Sequence, residues 1–169
     1  MKRPLIAVHT LYLVESTKIF GQQQDPEHSQ RRIPCLDRPF RRYLEAFQFD
    51  WRDAYPGVNA VTLMGLQERP DSRQGGLLPV LRYAAVQSAE DAPEYWDYAT
   101  LLELAVLSDD HEDAGKRLAE ALGSARAKWE LDSTTRNLGL IRGAKQARGE
   151  PVEWIMEIEK ALNGATLAR

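Results

Sequence analysis

From Asp37 onward the apolar residues recur almost throughout at i, i+3 and i+4, and few segments alternate with the period of two that a strand needs. That spacing predicts an all-α chain. In Pro39–Phe49, Tyr43, Ala46, Phe47 and Phe49 make an apolar face, with Asp37 as cap and Pro39 in the first turn. A second helix is expected to start at Pro56 and bury Ala60, Leu63 and Met64; Glu68–Gly76 reads as a turn-rich loop. Leu77–Gln87 returns, with Pro79 tolerated near its start. Helices Glu94–Leu107 and His111–Ala125 flank a tight Ser108-Asp109-Asp110 break. Asp132 or Ser133 is expected to cap a helix that runs through Ala147 and stops at Gly149. Pro151 opens the last helix, whose apolar face is Trp154, Ile155, Ile158 and Leu162.

Helix pairs with short breaks invite a test against the tetratricopeptide period of about 34 residues. Tyr98, Leu101, Leu102 and Ala105 fit the first helix of that repeat, and Ala114, Leu118 and Ala121 the second. Small residues let antiparallel helices approach closely and large ones fill the groove between them. Tyr43, Ala46 and Trp51 stand where a preceding repeat would end. The expected architecture is a short solenoid of stacked, antiparallel tetratricopeptide-like hairpins, with an arbitrary helical bundle as the alternative. The expected division places a poorly defined segment or linker at 1–38 and the helical domain at 39–169. Within the former, Leu5–Val14 is strand or helix and Gly21–Arg32 a polar linker.

Composition narrows the function. Twenty-two basic against 25 acidic residues give a net charge of −3, which argues against a nucleic-acid binder. No apolar stretch approaches the ~20 residues that span a bilayer. Met1-Lys2-Arg3 and Leu5–Val14 loosely imitate a secretory signal, but His9 and Thr10 interrupt the run and no small-x-small site follows before Gln22–Gln24. With Cys35 the single cysteine, a soluble, cytoplasmic protein in a reducing compartment is expected. His9, His28 and His111 are scattered. The acids around His111 suit a solvated helix start better than a metal site, and Gly75-Gly76 is no phosphate loop. No enzyme, metal or cofactor is expected.

Three segments are more specific: Asp53–Leu63 (DAYPGVNAVTL), Tyr95–Leu107 (YWDYATLLELAVL) and Trp129–Arg142 (WELDSTTRNLGLIR). In this order they resemble the tetratricopeptide-repeat sensor family, also called the TRAFs-binding domain, over roughly Phe40 to Leu162. That module lies in the central regulatory region of the apoptosis signal-regulating kinases and in bacterial conflict-system proteins. The resemblance departs at the amino end, where family members usually carry several more helices before the YPG segment. It implies a regulatory module: in the kinases, one that controls activation and adaptor recruitment; in bacteria, a sensor of a nucleotide-derived signal.

The hairpins' first helices would line a concave groove, and each carries a polar pair three residues apart: Asn59 with Thr62, Asp97 with Thr100, Thr134 with Asn137. These pairs, with Trp96 for stacking and Arg82 and Arg142 for phosphate, are the candidate ligand-binding residues. Each has a structural alternative. Asn59 can bond a neighbouring helix, Thr134 can complete a cap, Trp96, Trp129 and Trp154 can pack between hairpins, and Arg82 can pair with an acid. The functional expectation is a non-catalytic sensor of a nucleotide-derived small molecule. The alternative is a scaffold that binds a peptide or helix of an effector or partner protein.

Overall fold

The computed structural model describes residues 34–89 and 92–166, and the side chains from Phe40 onward. The expectations for Leu5–Val14, His9, Gly21–Arg32 and His28, and for the side chains of Cys35, Asp37 and Pro39, lie outside the described residues.

The described chain is all-α: α1 (Pro34–Phe49), α2 (Ala54–Gly65), α3 (Gln74–Ala89), α4 (Tyr95–Leu107), α5 (His111–Ser124), α6 (Lys128–Ala147) and α7 (Glu153–Gly164). Consecutive helices pack as hairpins, α2 on α3, α4 on α5 and α6 on α7, with α1 against the back of α2. The first helices also touch one another, α4 meeting both α2 and α6 and α2 reaching α6, while α5 meets α7 on the outside. This is a short hairpin stack with α2, α4 and α6 as its inner layer.

Several boundaries differ from the sequence expectation. α1 begins at Pro34, and its buried stripe is Phe40, Leu44 and Phe47; Phe49 is 94% exposed and Ala46 faces out. α2 begins two residues before Pro56, because the Asp53 carboxylate accepts from the Tyr55 amide at 3.1 Å and caps the helix there. Pro56 then falls in the first turn, where its missing N–H costs nothing. α3 starts at Gln74, so Gly75 and Gly76 are helical; Gln74 Nε2 donates to the Val61 carbonyl at 2.9 Å and anchors this turn to α2. α6 starts four residues before Asp132. The Glu130 carboxylate reaches back to the Arg126 and Ala127 amides at 2.7 and 3.0 Å, so Asp132 and Ser133 lie within the helix.

The carboxyl ends of the inner layer are bridged by cations. α4 and α6 both end in a left-handed residue, Asp109 at φ 55° and Gly149 at φ 75°. In each, the amide of the next residue folds back to an orphan carbonyl: Asp110 to Ala105 at 3.0 Å, Glu150 to Lys145 at 3.1 Å. The buried Lys145 ammonium bonds both Asp109 oxygens, at 2.9 and 2.7 Å, and Glu150 at 3.0 Å. Arg148 crosses to α2 and donates to the Gly65 and Gln67 carbonyls at 2.8 and 3.1 Å. Positive charge is favoured at such ends. Arg148→Ala should therefore cost about 1.5–3 kcal/mol, the range for hydrogen bonds from a charged group. Urea denaturation measures this, and a loss below about 0.5 kcal/mol would show these contacts to be incidental.

Candidate functional site

The inner helices run parallel: their carboxyl ends border a pocket of about 300 Å³ lined by Lys145 and Arg148, and their amino ends lie together at the other side. There they border a cleft of about 620 Å³. Asp53 and Tyr55 contribute from α2, Glu94 to Thr100 from α4, Arg126 to Glu130 from α6, and Ala85 and Ser88 from the end of α3. Tyr95 and Trp96 meet edge to face with centroids 5.1 Å apart, and Trp96 lies 5.6 Å from Trp129 across the α4–α6 boundary. Trp129 is 53% exposed, which is costly for so large an apolar surface unless something covers it.

The wall is held by Tyr95. Its phenol is 3% exposed, donates to the Glu130 carbonyl at 3.0 Å and sits 2.6 Å from Thr134 Oγ1. Burial pushes its pKa up to about 12, so it stays a neutral donor at ordinary pH.

Amino ends of helices ordinarily favour anions. Here each already carries an acid: Asp53 on α2, Asp97 accepting from the Glu94 amide at 2.8 Å on α4, and Glu130 on α6. Glu94 is the fourth carboxylate of the lining, and Arg126 its one cation among the described residues. Each helix end supplies roughly half a positive charge, so the cleft keeps an excess of about one to two negative charges.

The sequence-predicted site residues divide into three groups. Trp96, Asp97 and Thr100 line the cleft. Thr134 stands behind its wall on Tyr95. Asn59, Thr62 and Asn137 point into the interior, each no more than 3% exposed. Asn59 Nδ2 donates to the Tyr55 carbonyl at 2.8 Å. Thr62 and Asn137 converge from α2 and α6 on a carboxyl that the sequence reading missed, Glu103 of α4. Thr62 Oγ1 is 2.5 Å from Glu103 Oε1, and Asn137 Nδ2 donates to Oε2 at 3.3 Å. Burial raises the Glu103 pKa, its two hydrogen bonds opposing the shift more weakly.

Arg82 and Arg142 are not brought to the cleft. Arg82 bridges Asp110 and Asp113 at the start of α5, at 2.9 and 3.0 Å, and Arg142 pairs with Glu159 of α7 at 2.9 Å. His111 stacks on Trp154 with centroids 4.0 Å apart, joining α5 to α7. Among the described residues no group of three His, Cys, Asp or Glu is arranged to hold a metal ion, and no helix is long and apolar enough to cross a membrane.

The architecture is that of an all-α helical-hairpin stack with a cleft at one end of its inner layer. The chain matches the family model described as the MAP3K TRAFs-binding domain over residues 21–159, and it belongs to that family. This agrees with the resemblance carried by the DAYPGVNAVTL, YWDYATLLELAVL and WELDSTTRNLGLIR segments. No curated protein and no solved structure matches it.

Proposed function

We propose that the chain is a non-catalytic regulatory module that holds a segment of a partner protein in the cleft at the amino ends of α2, α4 and α6. The observation that carries this reading is the asymmetry of the inner layer. At one end a pocket of about 300 Å³ is lined by Lys145 and Arg148, whose charges are already taken by Asp109, Glu150 and the Gly65 and Gln67 carbonyls, while the other opens into the cleft of about 620 Å³ beside an uncovered tryptophan. The family's name points to TRAF-type adaptors as the partner class. The binding unit is the helical domain placed at 39–169.

A nucleotide-derived ligand in the same cleft is the second reading, and the Trp96–Trp129 pair favours it as a stacking surface for a base. Its phosphates would meet the four carboxylates, and the arginines expected to receive them, Arg82 and Arg142, are engaged elsewhere. The partner-protein reading therefore stands first.

Titrating purified TRAF domains against the wild type and Trp129→Ala tests it. Trp129 is largely exposed, so the variant should keep its melting temperature while affinity falls by about 2 kcal/mol or more, as at an interface anchor. Binding that ignores the substitution would move the interface away from the cleft. ADP-ribose, cyclic ADP-ribose isomers and cyclic dinucleotides belong in the same series. A ligand at a hundredfold excess over Kd would add about 2.7 kcal/mol of stability and restore the second reading.

A further inference from the structure

The proposed reading leaves open what the partner's segment must carry, and the chemistry of the cleft narrows it. Four carboxylates and one guanidinium line it, so charge complementarity calls for a cation. Two residues of the lining, each more than nine-tenths buried, keep a side-chain oxygen with no partner in the chain. The Thr100 hydroxyl makes no hydrogen bond within the chain, although Thr100 lines the cleft and is 7% exposed. Glu130, 8% exposed, spends Oε2 on the Arg126 and Ala127 amides, while Oε1 accepts nothing. Both oxygens belong to residues of the cleft lining, so they are acceptors that a bound donor can use. Beside them the exposed Trp129 ring offers a face on which a flat cation can stack.

We infer that the cleft receives an arginine side chain carried on the partner's segment. The inference rests on the partner-protein reading and adds the residue that reading requires. A guanidinium fits better than an ammonium. It is planar, lies on an indole face, sheds water at lower cost and presents several donors at once to Glu130, Thr100 and the surrounding carboxylates. Arg126, already on the rim, marks the boundary of the acidic surface and does not neutralise it.

The test uses blocked peptides and the full chain. Ac-Ala-Arg-Ala-amide and its citrulline counterpart, equal in shape and without the charge, are titrated while the indole N–H signals of Trp96 and Trp129 and the Thr100 amide are followed by NMR. The arginine peptide should shift all three, bind at least about tenfold more tightly than the citrulline peptide, and weaken as salt rises from about 0.05 to 0.5 M. Asp53→Asn combined with Asp97→Asn removes two charges while asparagine keeps both caps, so the chain should stay folded and bind the arginine peptide about tenfold less. Equal binding of the two peptides at these residues would overturn the arginine inference and leave the partner reading in place. Shifts confined to other surfaces, or none at millimolar peptide, would overturn both. Tighter binding of a lysine peptide would replace the guanidinium by an ammonium and refute the stacking argument.

Discussion

Glu103→Gln is expected to make the protein more stable than the wild type at neutral pH, although it removes a charge-bearing group from the centre of the fold. Glu103 is 5% exposed and sits where α2, α4 and α6 meet. α2 carries no charged residue. Of the cations on neighbouring helices, Arg82 on α3 is engaged by Asp110 and Asp113, Arg117 on α5 by Asp113 and Glu120, and Lys128, Arg142 and Lys145 on α6 by Asp132, Glu159, Asp109 and Glu150, while Lys116 and Arg136 are exposed. Among the described residues no cation pairs with Glu103 to repay the desolvation of a carboxylate.

The hydrogen bonds accommodate a neutral Glu103. Thr62 Oγ1 is 2.9 Å from the Val58 carbonyl and 2.5 Å from Glu103 Oε1. A hydroxyl has one proton, and a carbonyl can only accept. When Thr62 donates to Val58, the proton in the shorter contact must belong to Glu103, which is then the neutral acid. Burial holds its pKa in the folded chain above the ordinary glutamate value of about 4.5. The folded state therefore holds a proton that the unfolded chain has released. Stability from this group is complete below about pH 4.5 and falls by up to about 1.4 kcal/mol for each pH unit until the folded pKa is passed. Glutamine reproduces the neutral acid without that loss. The difference between Glu103→Gln and wild type should be near zero at about pH 4 and grow in the variant's favour toward pH 7. Subtracting the two curves cancels the carboxylates held low by their partners, Asp71, Asp110 and Glu150, whose contribution is lost as pH falls through their folded pKa values. Glu103→Ala should instead destabilise at every pH, because it leaves a void and strips Asn137 of its acceptor. A glutamine variant less stable than wild type at pH 7 would mean that the carboxylate is ionised and well paired.

This centre also shows what the sequence could and could not disclose. Helical spacing is a local property, so it located every helix described and the breaks at Ser108–Asp110 and Gly149. It misplaced the starts of α2, α3 and α6, because Asp53, Gln74 and Glu130 fix them through specific bonds. The rule of three correctly put Thr62 with Asn59, and Asn137 with Thr134, on shared faces. It could not say whether those faces look outward. An informative signal was the lack of amphipathicity: in α2 every residue but Tyr55 is buried, and α4 runs Leu101-Leu102-Glu103-Leu104-Ala105-Val106-Leu107. A helix apolar all round is an interior helix, and its polar residues must satisfy one another. Glu103, alone in that run, was the residue to pair with Thr62. The cleft was half legible. Of its lining, Trp96, Asp97 and Thr100 stood out in the sequence, whereas Asp53, Glu94 and Glu130 did not, because an acid at a helix start needs no ligand to account for it.

Gly57→Ala is expected to destabilise the protein by about 1–3 kcal/mol, against the roughly 1 kcal/mol that alanine ordinarily gains over glycine inside a helix. Gly57 has an unremarkable helical backbone, so the requirement is for space. A Cβ there would stand 2.1 Å from Leu81 Cδ2 and 2.8 Å from Phe47 Cδ2. Those side chains come from α3 and α1, so Gly57 is the point through which both neighbours approach α2. Leu81 is fully buried and the Phe47 ring has little freedom, so neither retreats without moving its helix. The YPG segment thus does more than set the entry of α2, because its glycine fixes how closely α1 and α3 lie. Gly143→Ala is the control: it is exposed in α6 with nothing within 4 Å of the added carbon, and should follow propensity and stabilise slightly. A double-mutant cycle separates the clash from other causes. Leu81→Ala alone should cost about 2–5 kcal/mol, but less in the Gly57→Ala background, where the methyl occupies the space that leucine vacates. The two changes should therefore be coupled by about 1 kcal/mol or more. Strict additivity would mean that Gly57 is not the site of closest approach, and that α1 and α3 are spaced by some other contact.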